Sequence, residues 1–196
     1  MKNYIANLVM LPIALLSVLM HINSQAAGMV ILEPHVHGLS ELTMTIEKQT
    51  LEIEVTSPAI NIVGFEHRAK TKKSIALVQK ARIRLSRHED LFSFSGGACI
   101  LIDKSVDISS ITKADNVETD LHEHGHEHKN DTKKFSHREV IGHYRYYCKK
   151  ASTLTAITVK IFDQFVGINQ IKARWLTETQ QGSVTLSPTK QVINLR

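Results

Sequence analysis

Cysteine is scarce in this 196-residue chain: Cys99 and Cys148 are the only two. None occurs in the first 98 residues, which excludes a lipid anchor on an N-terminal cysteine. Neither has a second cysteine at zinc-ligand spacing, so the paired-cysteine zinc folds are excluded as well. Catalytic signatures lack their context as well. The string H-E-x-x-H occurs only as HEHGH at 122–126, inside a polar tract with no helical pattern rather than on a helix, and there is no G-x-S-x-G. A catalytic zinc site needs about three fixed ligands, an open position and a general base, and nothing here supplies that context. No enzymatic activity is expected. The net charge of +5 is a mild excess that drops by one if Lys2 is removed with a leader. The basic residues lack aromatic interleaving and any known binding motif, so nucleic acid is not an expected partner.

What is present begins with a leader. MKNYIANLVMLPIALLSVLMHINSQAAG carries Lys2, an apolar run from about Ile5 to Ile22, and a small-x-small pattern at Ser24, Gln25 and Ala26. That order describes a secretory signal peptide, residues 1–26, cleaved after Ala26. The competing reading is a membrane anchor, because the run approaches the roughly 20 residues a bilayer needs. Asn7, Pro12 and His21 interrupt it, and no basic stop-transfer segment follows. The mature chain, 27–196, is therefore expected to be exported and not itself membrane-spanning. Two cysteines in an oxidising compartment most often pair, so a Cys99–Cys148 disulfide is expected, with a stabilisation of about 2–4 kcal/mol. The alternative makes the two sulfurs thiolate metal ligands.

Periodicity gives the elements. Leu42, Met44 and Ile46 alternate before EKQT, and Leu51, Ile53 and Val55 after it, which predicts a β-hairpin that Pro58 ends. Gly64 allows a tight bend before Phe65, Glu66 and His67. From about Thr71 to Arg87 the apolar residues Ile75, Val78, Ala81, Ile83 and Leu85 recur near helical spacing, so the cations between them form a solvated face. His88 reads as a helix-end residue that complements the dipole. A strand carrying Cys99 follows a Gly-Gly break, another carrying Cys148 spans HREVIGHYRYYCKK, and LTAITVKIFDQF reads as a strand with a final helical turn. Two further strands are placed around Gln181 and Gly182, and QVINLR as a last short one. The expected fold class is α+β: a single domain dominated by an antiparallel β-sheet, with one main amphipathic helix and a long, disordered histidine-rich loop at about 112–136. That loop has too few apolar side chains to offset the entropy of ordering it.

The loop contains LHEHGHEH, with His122, His124, His126 and His128 at every second position. Neutral imidazole suits zinc, copper and nickel, and both an extended and a helical backbone would bring at least two of these rings to one ion. The bland reading is a solvated low-complexity tract; four histidines in seven positions of an exported chain favour metal binding over it. A loop that must be ordered on binding suits capture better than tight retention. Other histidines lie in ordered segments: His35 and His37 in EPHVHG, His67 in GFEH, and His137 and His143 around the Cys148 strand. Singly each reads as an ordinary surface or core residue. Together they could complete a four-coordinate, histidine-rich zinc site.

HVHGLSELTMTIEKQTLEIEVTSPAINIVGFEH, the acidic histidine-rich loop and HREVIGHYRYYC resemble the ZrgA-type family of periplasmic zinc-uptake proteins. The pattern is H-x-H-G, an alternating hairpin, S-P-A-x-N-x-x-G-F-E-H, a histidine-rich insertion and an aromatic strand ending in Cys; LTAITVKIFDQFVGINQIKARWLT and TQQGSVTLSP match its C-terminal part. The resemblance implies a periplasmic protein that captures zinc and delivers it to an inner-membrane ABC importer. It points to His35, His37, His67, His122, His124, His126, His128 and His137 as metal ligands, with His143 as a further candidate. The choice of zinc rests on that resemblance, because ligand type alone ranks copper higher. The alternative is a periplasmic buffer or store for zinc, copper or nickel that has no transporter partner.

Overall fold

The computed structural model describes residues 36–112 and 138–195. The expected leader at 1–26, His35, the tract from His122 to His128, and His137 lie outside the described residues.

The alternating hairpin forms as β1 (Leu39–Glu47) and β2 (Thr50–Pro58), with Leu42, Met44, Leu51, Ile53 and Val55 all turned into the core. Pro58 closes β2 and leads directly into a one-turn helix, α1 (Ala59–Val63), which ends on Gly64 in the left-handed region. The main helix is α2 (Lys72–Ser86). Thr71 caps it reciprocally with Ser74, each side chain accepting from the other's backbone N–H, so two orphan amides of the first turn are satisfied. Ser74, Val78, Ala81 and Leu85 form its buried stripe, while Ile75 and Ile83 remain exposed.

β3 (Phe92–Ser95) and β4 (Gly97–Asp107) follow, then α3 (Ser109–Thr112), and the chain resumes in β5 (Glu139–Lys150). β6 (Ala156–Val159), α4 (Ile161–Gln164), β7 (Gln170–Thr177), β8 (Gln181–Leu186) and β9 (Val192–Asn194) complete the fold. Six strands build one sheet in the order β4-β5-β2-β1-β7-β8, and β3-β6-β9 build a second. The α+β class dominated by antiparallel strands holds, with one parallel pair, β1 with β7.

α2 and the small sheet pack against the inner face of the large one. The Tyr144 hydroxyl donates to the Leu85 carbonyl at 2.7 Å, and Phe92 and Phe94 meet Tyr144 and Tyr146 edge-on at 5.2 and 4.8 Å. The outer face is solvated and carries cross-strand ion pairs, Arg145 with Glu52 at 3.0 Å and Arg174 with Glu41 at 2.6 Å. Cys99 and Cys148 stand opposite each other on β4 and β5 and are joined as a disulfide. The thiolate-ligand alternative is thereby excluded.

Three placements differ from the sequence expectations. The turn between β7 and β8 lies over Glu178–Gln180, where Thr177 Oγ1 accepts the N–H of Gln180 at 2.9 Å, so Gln181 and Gly182 belong to β8. Gly182 faces Trp175 across the ladder, and a Cβ there would come within 2.2 Å of the indole, so this glycine makes room for a ring. Second, β3 and α1 are additional elements, each too short to show a period. Third, His88 lies just past the end of α2, as read from the sequence, but belongs to a further short turn. It opens a 3-10 turn, with Nε2 at 2.8 Å from Glu89, Nδ1 at 3.4 Å from the Tyr146 hydroxyl, and its ring largely buried.

Candidate metal centre

The start of β1 stands beside the end of β2, the start of β5 beside that same end, the end of β4 beside the start of β5, and β7 enters parallel to β1. One end of the large sheet therefore gathers the residues before β1, the stretch after β2, α3 and the entry to β5. Most of the ordered motif residues fall there.

His37 sits in a turn in which the Leu39 N–H donates to the Val36 carbonyl at 3.0 Å. Gly38 takes a φ of +85°, and a Cβ on it would meet Asn169 at 2.6 Å. α1 secures this turn. Buried Asn61 accepts the Gly38 N–H at 2.8 Å and donates to the Leu39 carbonyl at 2.8 Å, while the Gly38 carbonyl accepts from the N–H groups of Asn169 and Gln170. The backbone under His37 is thus fixed on both sides, and its imidazole is left largely in solvent.

Beyond Gly64, Phe65 and His67 stack at a centroid distance of 4.6 Å with ring planes 15° apart. His67 Nδ1 lies 3.0 Å from the Arg68 carbonyl. A carbonyl only accepts, so Nδ1 is the donor in this contact, which leaves Nε2 as the ring nitrogen available to a metal. Glu66, between these two residues in the sequence, directs Oε1 to 3.8 Å from His37 Nε2. The stretch is anchored when the Ala69 N–H donates to the Ile111 carbonyl at 2.9 Å.

Both roots of the segment 113–137 stand at this sheet end. The Ala59 N–H donates to the Arg138 carbonyl at 2.8 Å, Ser110 Oγ donates to the Glu139 carbonyl at 2.5 Å, and the Arg138 guanidinium donates to the Ser110 carbonyl. Val36 and Arg138, the chain neighbours of His35 and His137, are likewise here.

His143 is not part of this gathering. It lies four residues into β5 on the outer face, opposite Glu54 in register, with Nδ1 3.4 Å from the Glu54 carboxylate. Among the described residues no three His, Cys, Asp or Glu side chains converge on one point. What the structure assembles is His37 with Glu66, and His67 next to Glu66 in the chain. Glu66 and Asn61 were absent from the residues singled out as ligands in the sequence, although both lie within the S-P-A-x-N-x-x-G-F-E-H string.

The model of the ZrgA family zinc uptake proteins matches residues 34–195. The chain belongs to that family. The match takes in every element of the fold, and family membership associates the chain with zinc uptake. No curated protein matches the chain. Among the described residues no helix is long and apolar enough to cross a membrane.

Proposed function

We propose that this ZrgA family member is a periplasmic protein that captures zinc and passes it to an inner-membrane ABC importer. The observation that carries this reading is the meeting, at one sheet end, of His37, Glu66, His67 and both roots of the segment bearing His122, His124, His126 and His128. The histidine tract serves as the collector. Ions caught on it need to travel only as far as the roots of their own segment to reach the ordered imidazoles. The holding set is drawn from His35, His37 and His67, with His137, two positions before β5 in the sequence, as a further candidate; His143 and Glu54 form a separate exposed pair. Export rests on the leader read in residues 1–26.

Calorimetric zinc titration of the chain from residue 27 onward tests this beside two variants, one with His122, His124, His126 and His128 changed to alanine, the other carrying His37→Ala and His67→Ala. The tract variant is expected to retain one tight site and lose weak ones, and the second variant to lose the tight site. Zinc binding should also weaken as the pH falls below about 6.5, where free imidazoles take up protons that compete with the metal. Loss of all binding in the tract variant, with the second variant unaffected, would make the tract the site and favour a metal buffer. Delivery is tested separately by zinc-dependent association with importer-containing membrane vesicles; a buffer shows none.

A further inference from the structure

We propose that Glu66 is itself a metal ligand: its carboxylate and the His37 imidazole form the preformed half of the zinc site, an inference that rests on the zinc-holding role given above to this sheet end. The separation of 3.8 Å between Glu66 Oε1 and His37 Nε2 is too long for a hydrogen bond. Two donors bound to one tetrahedral zinc at about 2.0–2.1 Å stand roughly 3.3 Å apart. Closing from the observed separation to that value takes a few tenths of an ångström, and both side chains are exposed enough to move that far.

The local backbone explains why this carboxylate is the one presented. Phe65 and His67, two residues apart, stack on each other, and the residue between them is directed at His37. The backbone under His37 in turn cannot drift, because Asn61 and the entry to β7 fix Gly38 and Leu39. Other acidic groups near this end are differently engaged: Asp107 accepts the Ser109 N–H at 2.8 Å at the start of α3.

Charge adds a second reason. Neutral imidazoles leave the full double charge of zinc in place, and both sulfurs are tied up in the disulfide. A carboxylate at the ion removes half of that charge. It also makes the centre a mixed nitrogen and oxygen site, which disfavours soft ions such as Cu(I).

The test uses the chain from residue 27 onward, with zinc competed against a chromophoric chelator and with cobalt(II) as a spectroscopic substitute. Glu66→Gln is expected to weaken the tight site by about tenfold or more and to alter the cobalt d–d bands, with the metal-free thermal midpoint unchanged. Glu66→Asp keeps the charge but withdraws the carboxylate by one methylene. A ligand role predicts lost affinity there too, whereas a through-space charge effect predicts affinity near that of the unmodified protein and overturns the proposal. If His37→Ala loses the tight site while Glu66→Gln retains it with unchanged bands, the proposal fails and the zinc-holding role of this sheet end survives. If neither substitution changes zinc binding, both fail together.

Discussion

Asn61 shows how much one buried amide can organise. It bonds the backbone on either side of the Gly38–Leu39 peptide and stands only 4% exposed, so its removal strands a donor and an acceptor away from water. Asn61→Ala is expected to cost about 2–4 kcal/mol in urea-induced unfolding. It should also weaken zinc binding, because the turn under His37 loses its support; unchanged stability would show that water replaces the amide. The candidate ligands and the residues that position them differed in legibility. Imidazoles announce themselves by type, so His37 and His67 could be picked out directly. The partner of Gly38 lies 23 positions away, and no local pattern reveals that a particular asparagine will reach it. Glu66 was hidden for another reason: glutamate is ordinary on a surface, and only its distance to His37 distinguishes it.

At the level of elements, the helix and the first hairpin were legible because their periods are long enough to count. α2 exposes Ile83 and buries Leu85, two residues apart, which gives a direct check on its face. Leu85→Ala should destabilise by about 2–4 kcal/mol, and Ile83→Ala by no more than about 0.5 kcal/mol, both measured by chemical denaturation. Equal costs would mean that the helix is rotated from the face described. Alternation identifies a strand and its buried side but not its neighbour. The parallel pairing of β1 with β7 was therefore invisible, since it joins residues some 130 positions apart through the intervening chain. Short pieces such as β3 and α1 contain too few residues to show any period, and their structure comes from what they pack against.

Across the whole molecule, the core is sealed by two tyrosines and one covalent bond. Burial pushes the hydroxyls of Tyr144 and Tyr146 well above the usual tyrosine value, so the fold favours their neutral forms. The stability they contribute is complete below about pH 10 and is lost as the pH rises beyond it, toward the raised folded-state values. Denaturant midpoints should accordingly hold up to about pH 10 and fall above it, and Tyr144→Phe should lessen that fall. Reduction of Cys99–Cys148 is expected to lower stability by about 2–4 kcal/mol without altering the far-ultraviolet circular dichroism, because the same two strands are also joined by a hydrogen-bonded ladder.

The contacts of Ser110, Arg138 and Glu139 hold the two stems of segment 113–137 together using only residues on either side of it. The sheet thus has a socket whose closure does not depend on what is plugged into it. Natural selection could lengthen, shorten or reshuffle the histidine tract without renegotiating the fold, so the number of its histidines and structural integrity are free to evolve on separate clocks.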